Sequence, residues 1–188
     1  MSAEAQDWFH KVGPFAVRAS RKFGIPPSIV LAQAALESGY GKHDMGVFNY
    51  FGIKGEGPSG KSVTRGTQEF RDGRMVDERA KFRAYDNPKQ AFEDHQRLLL
   101  THRAYADARA ALPDSVAFVH RLTGVYATDP NYGTKLEQII NKYNLLEWDQ
   151  QATQDPAPLP GPADIMGKLD QLERRLGQLE SWRRDSGQ

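Results

Sequence analysis

The sequence contains no cysteine, which excludes disulfide bonds and thiolate metal sites in this chain of 188 residues. It also has no apolar run near the roughly 20 residues that a transmembrane helix requires. The segment from Met1 to Asp7 lacks the basic and apolar regions of a secretory signal, so none is predicted there. The net charge of +1 gives no basic patch of the kind that nucleic acid binding needs. We therefore expect no membrane span and no nucleic-acid partner.

The remaining composition indicates one globular domain followed by an appendage. Hydrophobic residues make up 39% of the chain and aromatic residues 10%, which are values of folded proteins. Four prolines in alternate positions between residues 150 and 163 predict a stiff, extended linker. Beyond the linker, apolar residues follow heptad spacing, namely Ile165, Leu169, Leu172, Leu176 and Leu179. We predict a domain at 1–149, a linker at 150–163 and an amphipathic helix at 164–188.

The role of this terminal helix stays open at the level of the sequence. About two and a half heptads are marginal for an isolated helix in water. The segment 164–182 could associate with a second copy of the chain, dock on a partner, or fold back onto the domain. Association is the interpretation that the pattern favours.

The most informative stretch of the domain runs from Ile25 to Gly41. Its prolines suit a first helical turn, and its residues up to Leu36 are apolar on nearly every face, with Gln33 as the exception. A glycine at position 39 predicts the helix end. We therefore expect a buried helix with Glu37 as the ionisable side chain in its last turn.

The position of Glu37 gives it one of two roles. Apolar surroundings and the negative end of the helix dipole would both raise the pKa of its carboxyl group. A raised pKa is what a general acid working near neutral pH needs. The alternative is an ordinary solvated glutamate at a helix end, and physical arguments alone leave the two open.

Further helices follow apolar stripes and capping signals in the second half of the domain. Asn87 before a proline predicts one helix start, and Asp114 predicts another. His95 lies on an apolar stripe and is predicted to be a core histidine with a hydrogen-bond partner. Tyr132 lies inside the last predicted helix of the domain and is expected to be structural.

A phosphate-loop pattern, G-x-x-x-x-G-K-[ST], occurs at residues 55–62. Its mechanism requires a buried strand before the loop and a helix after it. The residues that follow are strand-like, and no strand ending in aspartate lies downstream to hold magnesium. We interpret the match as accidental, and nucleotide binding is the weakest of the functions considered.

Five segments together resemble bacterial cell-wall glucosaminidases, glycoside hydrolase family 73, of the flagellar-rod type. The segments occur in order between about residues 8 and 146. They are AQAALESGYG at 32–41, NYFGIK at 49–54, TQEF at 67–70, KFRAY at 81–85 and YATDPNY at 126–132. The resemblance implies a mainly α (α+β) fold, a lysozyme-like helical bundle with one small β-hairpin.

The same resemblance implies a peptidoglycan hydrolase that cleaves the β-1,4 bond after N-acetylglucosamine, an endo-β-N-acetylglucosaminidase. Glu37 would be the general acid and Glu69 the second carboxylate of the pair used in glycosidic cleavage. The hairpin turn predicted at residues 72–73 places Glu69 near other carboxylates, and Asp72, Asp77 and Glu78 compete with it on physical grounds. A neighbouring acetamido group of the substrate could also replace it.

By the same resemblance, Tyr126 is a third catalytic residue that faces the substrate and positions the acetamido group or stabilises charge. A core tyrosine with its hydroxyl tied to the backbone is the alternative. The residues expected to bind the sugar are Tyr40, Asn49, Tyr50 and Gly52. No metal and no cofactor is implied, and the expected partner is the glycan strand of peptidoglycan.

The sequence is also compatible with other functions. A lytic transglycosylase or a muramidase would act on the same polymer, and a non-catalytic wall-binding or virion structural protein would retain only the shell of the fold. Action is expected at the bacterial cell wall, in the periplasm or outside the cell. Because no secretory signal is visible, phage lysis, packaging in a virion, a dedicated secretion system or a leader absent from this sequence would deliver the protein.

Overall fold

The computed structural model of the chain describes residues 3–71 and 74–154, except the side chains of residues 68–76. Within this part, the structure is a bundle of α-helices with one antiparallel β-hairpin, which confirms the expected mainly α fold. The elements in chain order are α1 (Ala3–Phe23), α2 (Pro27–Ser38), β1 (Ser62–Arg71), β2 (Arg74–Arg83), α3 (Pro88–Thr101), a 3-10 turn (Arg103–Tyr105), α4 (Ala106–Arg109), α5 (Ser115–His120), α6 (Tyr132–Lys142) and α7 (Leu146–Gln154).

Helix α2 lies at the centre of the domain. Every residue from Ile29 to Ala35 is fully buried, and α1, α5, α6 and α7 pack around it. The helix begins with Pro27, whose missing N–H would have no partner there. It ends where Gly39 adopts the left-handed backbone region (φ 57°) and donates its N–H to the carbonyl of Ala35. The prediction of a buried central helix is confirmed.

Helix α7 closes the domain by capping the start of α2. The carboxylate of Asp149 accepts hydrogen bonds from the backbone N–H of Ser28 at 2.7 Å and from its hydroxyl at 2.6 Å. The Ser115 hydroxyl, on α5, donates to the same carboxylate at 3.1 Å. A carboxylate at this position satisfies a backbone donor that the helix leaves unpaired and complements the helix dipole.

The position of α7 also explains a glycine inside α1. A Cβ at Gly13 would overlap the indole ring of Trp148, so only glycine lets α7 approach this closely. Because α7 continues through Gln154, residues 150–154 are helical, and the extended conformation predicted for this start of the linker is wrong. The rest of the predicted linker and the helix predicted at 164–188 lie outside the described residues. None of the helices in the described ranges is long and apolar enough to cross a membrane.

The β-hairpin joins the helical domain at its base. Strands β1 and β2 pair in register down to Arg71 and Arg74, so the two residues predicted as the turn connect them. At the base, Phe82 is buried, and the Arg83 guanidinium forms an ion pair with the buried Asp94 of α3 at 2.6 Å. The described side chains farther along the strands are mostly exposed. The hairpin is therefore a partly solvated lobe, as its polar sequence predicts.

Candidate active site

Glu37 lines an open cleft of about 250 Å³ at the C-terminal end of α2. The other walls come from the loop after α2, from α3, from the 3-10 turn and from the segment before α6. The remaining lining residues are Phe51, Gly52, Ile53, Leu98, Tyr105, Tyr126 and Ala127. A carboxyl group among mostly apolar and aromatic walls is suited to a sugar ring, whose C–H faces pack on such side chains.

The carboxyl group of Glu37 accepts a hydrogen bond from a tyrosine of α6. The hydroxyl of Tyr132, the first residue of α6, donates to Glu37 Oε1 at 2.8 Å. That hydroxyl in turn accepts a hydrogen bond from Gln33 Nε2 at 3.2 Å. Both partners are buried. The rotamer of Glu37 is thereby fixed from the protein side, while the residue stays exposed to the cleft.

Two opposing effects act on the pKa of Glu37. Although the residue is open to solvent on one side, protein surrounds it on the others, and this partial burial raises the pKa of its carboxyl group. The hydrogen bond from Tyr132 favours the carboxylate and lowers the pKa, but it is the smaller effect. The net direction is upward, in agreement with the direction expected from the apolar helix. Glu37 therefore holds its proton at a higher pH than a free glutamate.

Tyr126 lies in the cleft, and its hydroxyl has a backbone partner. The ring lines the cleft and stacks on Tyr132 with centroids 5.7 Å apart and planes 13° apart. Its hydroxyl donates to the Phe51 carbonyl at 3.2 Å, and burial raises its pKa well above the ordinary value. The geometry combines both expectations for this residue, since the side chain faces the cleft and is also tied to the backbone.

Asn49, expected on the sugar-binding floor, does not line the cleft. The residue is buried, and its amide makes three hydrogen bonds within the protein. Its Nδ2 donates to the carbonyls of Ile53 at 3.1 Å and Arg83 at 2.8 Å, and its Oδ1 accepts from the Ile53 N–H at 3.1 Å. Both amide hydrogens are used by these bonds, and the residue is not among those that line the cleft. Asn49 instead connects the loop after α2 to the base of β2.

The other residues expected to bind sugar divide between the cleft and the core. Gly52 lines the cleft, as expected. Tyr50 is buried and packs its ring against Trp8 and Phe92 in the core. It is not among the residues that line the cleft. Tyr40 lines a different groove of about 290 Å³, which it shares with Trp8. Tyr40 is not among the residues that line the cleft, so its contact with a sugar beside Glu37 stays a prediction.

Glu69 lies on β1 opposite Val76, three residues before the residues that join the strands. Its side chain is outside the described part of the structure. The choice among Glu69, Asp72, Asp77 and Glu78 as second carboxylate therefore stays a prediction. Glu78 has a described position on β2, where Lys54 Nζ lies 3.5 Å from its carboxylate.

The contact of Tyr132 with Glu37 was not predicted from the sequence. Its helical position suggested a structural residue, yet its hydroxyl is the group that contacts Glu37. The one signal available was its place at the end of the YATDPNY segment. A helical stripe does not distinguish a tyrosine that only fills the core from one that also reaches a carboxylate.

His95 is a core histidine, as expected, but its side chain packs on an aromatic ring. It is fully buried and stacks face to face on Phe51, with ring centroids 3.8 Å apart and planes 6° apart. Neither ring nitrogen has a hydrogen-bond partner among the described residues, so the predicted partner is wrong. Burial lowers the pKa of His95 to about 3, which keeps the ring neutral. The stack holds Phe51 in the wall of the cleft.

The phosphate-loop pattern lacks its required structural context. Ser62 begins strand β1, where a phosphate loop would begin a helix, so no helix dipole faces the loop. Lys61 Nζ forms an ion pair with Asp86 at 2.6 Å. Among residues 3–67 and 77–154, the histidine, aspartate and glutamate side chains form no group of three or more that could hold a metal ion.

Comparison with protein families gives a match over most of the domain. Residues 13–145 match the glucosaminidase model, described as mannosyl-glycoprotein endo-beta-N-acetylglucosaminidase. This range includes Glu37, Tyr126 and Tyr132, and it ends just before α7.

Curated relatives align with about two thirds to three quarters of the chain. A probable N-acetylmuramidase of Lactococcus lactis subsp. lactis is 42% identical over 135 residues, which cover 67% of this chain and 30% of that protein. The peptidoglycan hydrolase FlgJ of Vibrio parahaemolyticus is 35% identical, with coverage of 73% and 47%. The exo-glucosaminidase LytG of Bacillus subtilis is 35% identical, with coverage of 69% and 48%. This chain thus spans less than half of each of these relatives.

Solved structures show the same architecture. The catalytic domain of the autolysin Auto from Listeria monocytogenes superposes with a TM-score of 0.71 at 31% identity, covering 79% of this chain and 89% of that one. The glycoside hydrolase domain of Salmonella typhimurium FlgJ, in a C-terminally truncated form, superposes with a TM-score of 0.60 at 32% identity, with coverage of 74% and 97%.

Proposed function

This chain belongs to the glucosaminidase family of glycoside hydrolases, and on that basis we propose that it cleaves the β-1,4 bond after N-acetylglucosamine in peptidoglycan. The observation that carries the proposal is the state of Glu37. It is a carboxyl group in an apolar cleft, held by one hydrogen bond, with its pKa raised by partial burial. Such a group is suited to give a proton to a leaving oxygen near neutral pH.

In the proposed reaction Glu37 protonates the glycosidic oxygen as the bond to the anomeric carbon breaks. Positive charge then develops on the sugar ring, and water completes the hydrolysis. We assign Glu69 to activate that water or to stabilise the charge. An acetamido group of the substrate would be the alternative in this step. Tyr126 closes the wall of the cleft beside the reacting sugar, where we propose that it positions the acetamido group.

The choice of bond is the finer part of the proposal. The relatives include a probable N-acetylmuramidase and an exo-glucosaminidase. Family membership therefore supports peptidoglycan as the substrate more strongly than it supports the choice of bond within that polymer. The description of the matching family model, an endo-beta-N-acetylglucosaminidase, supports cleavage after N-acetylglucosamine. A muramidase or a lytic transglycosylase would leave different fragment ends.

We further propose that the protein acts on the wall outside the cytoplasm, since its relatives include a peptidoglycan hydrolase and an autolysin. Delivery by phage lysis, by a virion or by a dedicated secretion system, and association through the segment 164–182, stay predictions from the sequence. That segment lies outside the described residues.

The test compares two identical substitutions at different sites. Glu37→Gln removes the transferable proton and keeps the shape of the side chain, so digestion of purified cell walls should fall by roughly 100-fold or more. Glu56→Gln makes the same change at an exposed glutamate outside the cleft and should leave the rate unchanged. Circular dichroism verifies that both variants fold. A folded Glu37→Gln variant that digests walls at the parental rate would contradict the proposed role of Glu37.

A further inference from the structure

Gln33 is the polar side chain within the buried stretch of α2 from Ile29 to Ala35. It lies four residues before Glu37, which places both on one face of the helix. Its Nε2 donates to the Tyr132 hydroxyl at 3.2 Å, and that hydroxyl donates to Glu37 Oε1 at 2.8 Å. The three side chains form one continuous chain of hydrogen bonds from the core to the cleft.

The direction of each hydrogen bond in this series follows from the number of protons that each group can donate. A tyrosine hydroxyl has a single proton. Because the amide N–H of Gln33 already occupies an acceptor site on the Tyr132 oxygen, the proton of Tyr132 points to Glu37 Oε1. Oε1 then acts as an acceptor, and Glu37 Oε2 is left without a hydrogen-bond partner among the described residues.

We propose that Gln33 is a positioning residue that acts through Tyr132 to keep the transferable proton of Glu37 on Oε2. The catalytic part of this inference rests on the proposed function. Gln33 does not line the cleft, so it affects the reaction only through the orientation of the Tyr132 hydroxyl.

The unsatisfied oxygen of the same amide supports a role beyond packing. Gln33 Oε1 is buried and has no hydrogen-bond partner among the described residues. A buried acceptor without a partner destabilises the folded state, and an apolar side chain of similar volume would avoid that effect. The hydrogen bond to Tyr132 is the interaction that the amide makes and that an apolar side chain could not make.

The titratable groups that the described structure places around Glu37 are three tyrosines and, behind Tyr126, the buried His95, whose pKa is lowered to about 3 by burial. Tyr126 stacks on Tyr132, and Tyr105 lines the cleft. Burial raises the pKa of all three tyrosines above the ordinary value, so they stay neutral over the range in which Glu37 titrates. A change in the titration of Glu37 on substitution of Gln33 therefore reports on the hydrogen-bond chain.

The direct test measures the pKa of Glu37 by NMR of protein labelled with 13C at the glutamate carboxyls, with the signal assigned by its loss in Glu37→Gln. Tyr132→Phe removes the donor that favours the carboxylate, so the pKa of Glu37 should rise by roughly one unit. Gln33→Met keeps the volume and removes the amide. We expect it to shift the pKa in the same direction by roughly half as much, because the Tyr132 hydroxyl is then free to rotate.

A double variant separates this role from packing. If Gln33 acts through Tyr132, adding Gln33→Met to Tyr132→Phe should leave the pKa of Glu37 where Tyr132→Phe puts it. Ser28→Ala is the control, because Ser28 is also buried on α2 but bonds to Asp149 at the other end of the helix. It should lower stability without moving the pKa. An unchanged pKa of Glu37 in a folded Gln33→Met variant would overturn the proposal. So would a double variant in which Gln33→Met moves this pKa beyond the Tyr132→Phe value by as much as it does alone.

Rates of cleavage of soluble peptidoglycan fragments give a second readout. Gln33→Met should lower kcat by roughly tenfold and leave KM unchanged. If the parental protein does not cleave the polymer, the proposed function fails, while the NMR titration still decides the role of Gln33. If the parental protein is active and the Gln33→Met variant titrates and cleaves like it, only the positioning role fails.

Discussion

The pKa of Glu37 links the activity of the protein to its stability. Partial burial raises this pKa, which means that the ionised side chain is less favourable in the folded state than in the unfolded chain. The group therefore contributes stability below its unfolded pKa, and this contribution is lost as the pH rises through the folded value. The ordinary value of 4.5 marks the lower end of that window.

Glu37→Gln should consequently stabilise the protein in a pH-dependent manner. At pH 4 the parental side chain is mostly protonated and resembles the amide, so the two proteins should unfold at similar temperatures. At pH 7 the parental carboxylate is destabilising, and the variant should have the higher Tm. Thermal unfolding at both pH values measures the difference. A Tm difference that is independent of pH would show that burial does not raise this pKa.

Asn49 is expected to matter for stability more than for sugar binding. Its amide satisfies two carbonyls and one N–H inside the protein. Asn49→Ala leaves these groups unpaired, so the free energy of unfolding should fall by roughly 2–4 kcal/mol. The KM for soluble fragments should stay near the parental value in the variant that remains folded. Urea denaturation measures the first quantity, and an increase in KM without loss of stability would restore Asn49 to the sugar site.

Asn49 and Tyr132 show why single residues are the hardest part to predict. A polar residue among aromatics looks the same in sequence whether it binds a ligand or the backbone. What decides the case for Asn49 is the carbonyl of Arg83, 34 residues away in the chain. For Tyr132 it is the carboxylate of Glu37, 95 residues away. Such contacts depend on how the elements pack, which local patterns do not contain.

Elements were more predictable, because their signals are local. The apolar stretch predicted α2, the two-residue turn predicted the hairpin, and Asn87 and Asp114 accept the capping hydrogen bonds expected of them. Helix α7 was missed as a continuation of the domain. Its residues are mostly polar, and what holds it in place is the packing of Trp148 against Gly13 and the cap on Ser28.

The cap formed by Asp149 gives a prediction at the level of elements. Asp149→Ala removes the acceptor of the Ser28 N–H and of two hydroxyls, so the free energy of unfolding should fall by roughly 1–2 kcal/mol. Gln150→Ala, at the exposed neighbouring position of α7, is the matched control and should change little. Denaturation of both variants tests the difference. Equal stability of the two variants would mean that α7 does not cap α2.

At the scale of the whole molecule, α2 connects the stability of the domain to its chemistry. Its first turn is held by α5 and α7, and its last turn presents Glu37 to the cleft. The helical domain thus fixes the position of Glu37, the proposed acid. The hairpin that carries Glu69 is joined to the helical domain at the base of the hairpin. The distance between two carboxyls sets the stereochemistry of glycoside hydrolysis, so the position of the hairpin over bound substrate would decide between retention and inversion.

The central claim is that this cleft hydrolyses peptidoglycan after N-acetylglucosamine with Glu37 as the acid. The most direct measurement is mass spectrometry of fragments from purified cell walls digested in 18O-labelled water and then reduced with borohydride. The account predicts fragments with reduced N-acetylglucosamine at the new end, one 18O atom per cleavage, and roughly 100-fold fewer such fragments with Glu37→Gln. Fragments ending in muramic acid or its anhydro form, or ends without the label, would contradict it.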